Sequence, residues 1–343
     1  MRFSALGDVA MLVPVVSSLA HQYPELRITV LSRPFARPFF DGMAPNVGFM
    51  EADLKGEYHG VTGLNALYRR LVAKNFTAIA DMHNILRSSY LRMRFNLGRY
   101  RVEHIDKHRN ERRMLTSRSG KQLVQLPTSF ENYADVLARL GYPVTLNFKS
   151  VFPDSGGNLR LLSDHVGDKK LFQQWIGIAP FAAHKGKIYP PEKMEQVVAE
   201  IIRRHPSCRI FLFGGGDSEH RVLNEWVARY KNCTNASQLL SSLQQEMILM
   251  SHLDVMVSMD SANMHLASIS GTRVVSIWGA THPYAGFMGW NQNAGDAVQV
   301  DMPCRPCSIY GNKPCLSGDY ACLASISPEM VADRVEAVLS SHS

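Results

Sequence analysis

The feature that most constrains this chain is an alternation of short aliphatic runs with longer amphipathic stretches. Runs such as Trp175–Ala179 and Val255–Met259 have the length and composition of buried strands, and each is followed by a stretch with helical periodicity. Strands that alternate with helices build βαβ units and a parallel sheet. Because the pattern occurs in each half of the chain, we predict two Rossmann-like, doubly wound α/β domains that face a central cleft.

The two halves meet in a stretch rich in Pro and Gly, from Tyr142 to about Lys170, where the periodicity weakens. We expect an interdomain linker there, with one domain over 1–150, a second over 151–326 and a C-terminal helix within 327–343. The predicted strands are Arg27–Leu31, Ala78–Asp81, Trp175–Ala179, Arg209–Phe213, Val255–Met259 and Arg273–Trp278. The predicted helices are Val9–Tyr23, Leu64–Lys74, Phe130–Leu140, Pro191–His205, Ser218–Tyr230, one that begins near Ser261, and Ser327–Leu339.

The positive charge of the chain is concentrated in one segment. The formal net charge is +7, and the segment from Arg87 to Lys121 alone holds eleven bases against three acids, while the remainder holds 26 bases and 27 acids. A local excess of this size predicts an anion-binding surface in the first domain. A solvated charged face is the alternative.

The sequence gives no sign of a bilayer-spanning or exported chain. No apolar run reaches the roughly 18 residues that a membrane helix needs. Arg2 precedes the apolar stretch Val9–Ala20, as in a secretory signal, but Asp8 directly before that stretch argues against export. We therefore expect a cytoplasmic protein, either soluble or peripheral on the inner membrane.

Two predicted helix starts carry polar groups suited to chemistry. At the N-terminus, Gly7 lets the backbone approach a ligand, and Asp8 can either cap a helix or act as a general base. After a later strand, free amides at Ser261, Ala262 and Asn263 would form a diphosphate site, unless this is an ordinary capped turn.

Other loops narrow the choice of ligand. Lys185 and Lys187 follow the first strand of the second domain, where either could neutralise phosphate. The run Gly214–Gly216 lacks the spacing G-x-G-x-x-G because Glu219 occupies the final glycine position, which argues against a nicotinamide dehydrogenase. The sequence also lacks the G-x-x-x-x-G-K-[ST] phosphate loop of many kinases and ATPases.

In this order and spacing, the segments resemble bacterial glycosyltransferase family 9, the ADP-heptose lipopolysaccharide heptosyltransferases, over nearly the whole chain. The motifs that carry the resemblance are RFSALGDV from Arg2, KIYP from Lys187, DSxxxHLA from Asp260 and WGATHP from Trp278. The resemblance implies a GT-B fold, with acceptor bound by the first domain and nucleotide-sugar by the second. It implies an inverting transfer of heptose, or a related sugar, to lipopolysaccharide core or a related anionic glycolipid, with ADP-heptose as the expected donor.

The resemblance also implies roles for individual residues. Asp8 would deprotonate the acceptor hydroxyl, and Lys187 would steady the departing diphosphate. No cofactor or catalytic metal would be required. The donor-binding residues would be Gly214, Gly215, Glu219, Asp260, Ser261, Ala262, Asn263 and His265. The acceptor-binding residues would be Ser4, Gly7, Arg87, Arg92 and Arg94.

The chain departs from the family pattern at two places. Ala262 stands where the family has Gly after the Asp-Ser pair, and we expect little loss because alanine suits a helix start. Met1 stands next to Arg2, where the family has a hydrophobic first strand. We expect either that the recorded start lies several residues too late, which we favour, or that the sheet lacks its central strand and Asp8 is poorly held.

Four clustered cysteines need a separate explanation. Cys304, Cys307, Cys315 and Cys322 have the count of a structural zinc site, although the second pair lacks the usual short spacing. Disulfides and free thiols are the alternatives, and a catalytic role is not expected.

Two rival functions remain open at this level. A nucleotide-sugar epimerase would share the fold and would turn over its donor without an acceptor. A non-catalytic nucleic-acid-binding protein would use the basic segment, but that segment has few interleaved aromatic residues, so no nucleic-acid partner is expected.

Overall fold

The structure is a computed structural model that describes residues 1–162, 164 and 166–341. The chain divides into two compact units. Unit 1 comprises Met1–His108 and Pro127–Lys149, and unit 2 comprises Arg109–Leu126 together with the chain from Ser150 onward. Residues 342 and 343 of the predicted C-terminal helical segment lie outside the described residues.

The prediction that all of 1–150 belongs to one domain is wrong for Arg109–Leu126. Three groups anchor this segment within unit 2: Arg112 donates to the Tyr310 hydroxyl at 2.8 Å, Lys121 donates to the Cys304 carbonyl oxygen at 2.8 Å, and the Leu126 amide donates to the Tyr284 carbonyl oxygen at 2.9 Å. The basic segment is therefore divided between the two units.

Unit 1 is built from two pairs of parallel strands with flanking helices. The pairs are β1 with β2 and β3 with β4. The strands are β1 (Ile28–Ser32), β2 (Val47–Glu51), β3 (Ala78–Asp81) and β4 (Arg101–His104). The helices, with the short α5 that belongs to unit 2, are α1 (Leu6–Ala10), α2 (Val13–Gln22), α3 (Gly60–Val72), α4 (Leu86–Leu97), α5 (Arg109–Leu115) and α6 (Ser129–Arg139).

The first residues of the chain lie between the two strand pairs. The terminal amine of Met1 donates to the Ala80 carbonyl oxygen at 2.7 Å, and the Arg2 amide donates to the Leu31 carbonyl oxygen at 3.1 Å. Both pairs are thereby tied to the segment that leads to Asp8.

The predicted helix Val9–Tyr23 is two helices, α1 and α2. Pro14 is the second residue of α2 and has no amide hydrogen to donate to the preceding turn. The break sets α1 apart as a short helix whose first turn carries Asp8.

Unit 2 contains a six-stranded parallel sheet in the order β10-β9-β8-β5-β6-β7. Its central strands are mostly apolar and buried on both faces, as parallel sheets covered by helices require. The strands are β5 (Trp175–Ala179), β6 (Arg209–Leu212), β7 (Cys233–Asn235), β8 (Val255–Met259), β9 (Val274–Ile277) and β10 (Ala297–Val298). The helices are α7 (Pro191–Arg204), α8 (Asp217–Arg229), α9 (Ala236–Leu239), α10 (Leu243–Met250), α11 (Ala262–Ile269), α12 (Ala321–Ala324) and α13 (Pro328–Ser340).

The strand order identifies where a ligand site is expected in unit 2. The connection after β5 leads to β6, on one side, and the connection after β8 leads to β9, on the other. Because β5 and β8 are neighbours, their connections diverge and leave a crevice at their carboxyl ends.

No helix within the described part of the chain is long and apolar enough to cross a membrane.

Candidate functional site

In unit 2, an ion pair lies where the connections of β5 and β8 diverge. Lys187 ends the helical turn that follows β5, and Asp260 directly follows β8. The Lys187 Nζ is 2.8 Å from the Asp260 Oδ2, and the two side chains are 15% and 3% exposed. An ammonium group that is aimed by a buried carboxylate can still face an anionic ligand through its remaining hydrogens.

Glycines confine the Lys187 side chain. A Cβ atom on Gly311 would lie 2.6 Å from the Lys187 Cγ, and a Cβ atom on Gly186 would lie 2.8 Å from the Gly311 carbonyl oxygen. The Ala280 amide donates to the Gly186 carbonyl oxygen at 2.9 Å. Three loops therefore approach one another at backbone distance around this lysine.

The N-terminus of α11 lies next to the ion pair in sequence. Ser261 is the N-cap residue, and its side chain does not cap the helix. Ser261, Ala262 and Asn263 are half-buried, so the first amides of α11 are within reach of a ligand, whereas Asp260 and His265 are buried. Amides at a helix start, beside a lysine, form the kind of site that binds phosphate.

The predicted glycine loop follows β6 at the same edge of the sheet. The Gly215 amide donates to the Glu219 Oε2 at 2.7 Å, and the Gly214 amide donates to the Ser237 Oγ at 2.7 Å. The structure therefore brings Gly214, Gly215 and Glu219 together, with the Glu219 carboxylate at the surface of the loop.

Arg305 is a structural residue of this site that the sequence did not reveal. It is 4% exposed, and its guanidinium donates to the carbonyl oxygens of Trp278, Gly279 and Thr281. These contacts fix the loop that follows β9, which in turn holds Gly186 through Ala280. An isolated arginine between two cysteines offers no pattern from which this role could be predicted.

In unit 1, Asp8 is held at the start of α1. Its Oδ2 accepts from the Ala5 amide at 3.1 Å and lies 2.7 Å from an Arg2 Nη2, while its carbonyl oxygen accepts from the Tyr133 hydroxyl at 3.2 Å. Arg2 and the turn at Ala5 fix the Asp8 carboxylate, which argues against the alternative in which it would be poorly held. Both interpretations of Asp8 stand, since it caps α1 and its side chain is also 30% exposed.

Ser4 lies beside a histidine that no sequence motif marked. The Ser4 Oγ is 3.4 Å from the His83 Nε2, and the Phe3 amide donates to the His83 Nδ1 at 3.3 Å. Burial lowers the pKa of His83 to about 3, and the cations Arg2 and Lys107 contribute to the lowering. His83 is therefore a neutral imidazole at physiological pH.

The three predicted acceptor arginines on α4 have different surroundings. The Arg92 Nη1 lies 3.1 Å from the Oδ2 of Asp81, a fully buried carboxylate that also accepts from the His83 amide. Arg94 donates to Asn65 on α3, away from Asp81. Arg87 is exposed and makes no ion pair or hydrogen bond within the described residues.

The buried Gly7 lies within α1, one residue before Asp8. Its position places the α1 backbone, with no intervening side chain, beside the candidate base.

The four clustered cysteines are free thiols, as are the other two, so the disulfide alternative is wrong. Burial raises the pKa of Cys322 to about 11 and also raises the pKa of Cys307. Within the described residues, no group of three or more His, Cys, Asp or Glu side chains is arranged to hold a metal ion. The structural zinc site predicted from these cysteines is therefore not confirmed.

Comparison with known proteins gives the chain's relatives. It is 26% identical over 141 residues to lipooligosaccharide heptosyltransferase 2 of Campylobacter jejuni serotype O:2, which covers 39% of this chain and 42% of the relative. It is 22% identical over 290 residues to the lipopolysaccharide core heptosyltransferase OpsX of Haemophilus influenzae, covering 82% of this chain and 79% of the relative. The chain thus spans less than half the length of the Campylobacter relative.

Solved structures share the fold over nearly the whole chain. The Escherichia coli ADP-heptose lipopolysaccharide heptosyltransferase II has a TM-score of 0.68 at 18% identity, covering 100% of this chain and 99% of that one. The Escherichia coli heptosyltransferase WaaC with ADP has a TM-score of 0.68 at 14% identity, covering 98% of each. The fold is therefore the GT-B fold that was predicted.

The family model for glycosyltransferase family 9 (heptosyltransferase) matches residues 64–314, more than half of the chain, including Lys187 and Asp260. The chain belongs to glycosyltransferase family 9, the heptosyltransferase family.

Proposed function

We propose that this protein transfers a heptose from ADP-heptose to a lipopolysaccharide core or related anionic glycolipid, with inversion at the anomeric carbon. The observation that carries the proposal is the Lys187–Asp260 pair, which lies at the diverging connections of the unit 2 sheet, directly before the uncapped start of α11. These groups fit the diphosphate of a nucleotide-sugar. Family membership supports the transferase over the epimerase and nucleic-acid-binding alternatives.

In this proposal, unit 2 binds the donor. Lys187 and the amides of Ala262 and Asn263 bind the diphosphate, and Asp260 fixes the direction of the lysine ammonium. Negative charge grows on the leaving diphosphate as the glycosidic bond breaks, so donors aimed at it stabilise the transition state more than the ground state. Glu219, in the first turn of α8, would accept hydrogen bonds from donor hydroxyls in exchange for the Gly215 amide.

Unit 1 supplies the base. The acceptor hydroxyl oxygen forms a bond to the anomeric carbon as the bond from that carbon to the β-phosphate oxygen breaks, the hydroxyl proton passes to the Asp8 carboxylate, and ADP leaves. Arg2 holds the carboxylate in place, and the neutral His83 orients the Ser4 hydroxyl. Arg87 and Arg92 are proposed to bind anionic groups of the acceptor.

The proposal places the protein on the cytoplasmic face of the inner membrane, in contact with its surface. All six thiols are free, which suits a reducing compartment. The proposed chemistry uses fixed lysine and amide donors, and no step passes through a metal ion. The predicted structural zinc stays a prediction, since the described cysteines do not form a site in this arrangement.

The test is acceptor-dependent release of nucleotide. Purified protein is incubated with ADP-heptose, with and without a lipopolysaccharide-type acceptor, and ADP and glycosylated product are quantified. We expect ADP release only with acceptor, in equal amount to product. Conversion of the donor without acceptor would support the epimerase alternative instead, and salt-sensitive RNA binding without either reaction would support the nucleic-acid alternative.

The nucleotide is identified in the same preparation by thermal shift with ADP-, GDP- and UDP-sugars. Only the true donor is expected to raise the unfolding temperature strongly, because a ligand stabilises the folded state more as its concentration exceeds its Kd.

A further inference from the structure

Helix α4 exposes an apolar face that nothing in the described part of unit 1 covers. Leu86 is 89% exposed, Met93 is 48% exposed and Leu97 is 75% exposed. At 100° per residue, these three side chains lie within about 40° of one another around the helix axis. They form one stripe, which we call the α4 apolar stripe.

The opposite face of α4 is firmly packed, so the exposure is not a sign of a poorly folded helix. Leu91 and Phe95 are fully buried, and the Phe95 ring packs edge-on against Tyr68 at 5.1 Å and Tyr100 at 5.2 Å. The helix is therefore fixed in a rotation that presents leucine and methionine to solvent. Large apolar side chains clustered in this way on a folded surface mark an interaction site.

Arginines flank the α4 apolar stripe. From Leu86 to Arg101 the chain has five arginines and no Asp or Glu. Arg92 and Arg94 are engaged by Asp81 and Asn65, whereas Arg87 and Arg99 are exposed. A bilayer with acidic headgroups has an anionic surface layer above an apolar interior. An apolar stripe beside exposed arginines is complementary to such an interface.

We propose that α4 docks onto an anionic lipid bilayer, with Leu86, Met93 and Leu97 inserted among the headgroups and Arg99 on the lipid phosphates. A second copy of this chain fits the surface less well, because it would bring two arginine-rich faces together. The proposal rests on the proposed function only in that the glycolipid acceptor lies in such a bilayer. The proposal adds that α4 is the element that brings unit 1 to that acceptor.

The experiment measures vesicle binding by co-sedimentation. The probes are phosphatidylcholine vesicles, with and without phosphatidylglycerol at roughly a third of the lipid. Wild type is compared with the triple variant Leu86→Ser, Met93→Ser, Leu97→Ser. The matched control is Leu161→Ser, Leu171→Ser, Leu316→Ser, which removes three scattered apolar side chains that are 55%, 85% and 68% exposed.

We expect wild type and the control to bind the phosphatidylglycerol vesicles and the α4 variant to bind them at least about tenfold more weakly, since each inserted side chain contributes to partitioning. Equal binding of the α4 variant and wild type, or no binding of wild type, overturns the proposal. So does loss of self-association, rather than of vesicle binding, in sedimentation velocity. Unchanged circular dichroism and unfolding temperature show that the α4 variant is folded.

A transfer assay separates this proposal from the proposed function. With an acceptor saccharide freed of its acyl chains, the α4 variant is expected to retain the wild-type rate, and with acceptor in vesicles to lose most of it. If wild type transfers sugar to neither acceptor, the proposed function fails while the vesicle result stands. If the variant loses both activities equally, α4 acts on the acceptor saccharide itself and the docking proposal is overturned.

Discussion

Asp8 is the residue on which the proposed reaction turns. Its Oδ2 already accepts from the Ala5 amide and pairs with Arg2, and these contacts position the carboxylate. The same contacts are available to an asparagine oxygen. An asparagine at position 8 would therefore keep the position of the side chain but could not accept a proton.

The Asp8→Asn variant is expected to lose turnover by about 10²- to 10⁴-fold, because its amide cannot take the acceptor proton. Its affinity for ADP is expected to stay at the wild-type value, since Asp8 belongs to unit 1 and the donor groups to unit 2. Steady-state transfer and calorimetric titration with ADP measure the two quantities. Asp41→Asn, at an exposed position of unit 1, is the control. Turnover of Asp8→Asn at the wild-type rate contradicts the assignment of the base.

Alanine substitutions at two glycines test whether Gly311 confines the Lys187 side chain. Gly311 and Gly318 have φ of 72° and 80°, so alanine costs backbone strain of roughly 1 kcal/mol at either position. A Cβ atom meets the Lys187 side chain only at Gly311, and meets nothing within 4 Å at Gly318. The two substitutions therefore differ in their effect on the lysine.

We expect Gly311→Ala to weaken ADP binding by about tenfold or more, as the Lys187 ammonium is displaced from its charge-assisted contacts. Gly318→Ala is expected to lower the unfolding temperature by a similar amount and to bind ADP as wild type does. Equal ADP affinity in the two variants would show that the position of Lys187 is not set by Gly311.

At the scale of elements, α10 carries an unusual carboxyl group. Burial raises the pKa of Glu246 to about 7, from an ordinary value of 4.5. Between these values the folded protein retains a proton that the unfolded chain has released. The free energy of unfolding therefore falls as the pH rises through this window, and the cost at higher pH is up to about 3 kcal/mol.

The Glu246→Gln variant does not lose this stability at higher pH, because its amide stays neutral. The variant is expected to unfold roughly 2–6 °C above wild type near pH 8 and at the wild-type temperature near pH 5. Differential scanning calorimetry at the two pH values measures this, with the exposed Glu225→Gln as control. An equal shift at both pH values would mean that titration of Glu246 is not the cause.

Elements differ in how far the sequence predicts them. β3, β5 and β8 have the predicted bounds, and the last two are mostly apolar and buried along their whole length. β2 and β4 were missed because they are partly exposed and carry Gly48 and charged side chains. α4 was missed because its exposed stripe is apolar, which removes the polar face by which an amphipathic helix is recognised.

The residues of the candidate site also differ in how far the sequence predicts them. Lys187 and Asp260 could be predicted because each follows a recognisable strand and the family motif covers both. His83 and Arg305 could not, because their roles come from contacts with residues about 80 and 25 positions away in sequence. Such pairings depend on the folded topology, and no local pattern records them.

At the scale of the whole molecule, the chain crosses between the two units at residues 108/109, 126/127 and 149/150. Because Arg109–Leu126 belongs to unit 2, the basic segment Arg87–Lys121 is divided. The arginines of α4 belong to unit 1, and those of α5 belong to unit 2. The positive surplus is therefore divided between the two units.

The central claim is that unit 2 binds the donor diphosphate through Lys187. The most direct measurement is isothermal titration of ADP into wild type, Lys187→Met and Lys185→Met, the last being an exposed lysine two residues away in the same turn. We predict that Lys187→Met binds ADP about 10- to 100-fold more weakly, the worth of a charge-assisted hydrogen bond, and that Lys185→Met binds as wild type does. Wild-type affinity in Lys187→Met would contradict the claim.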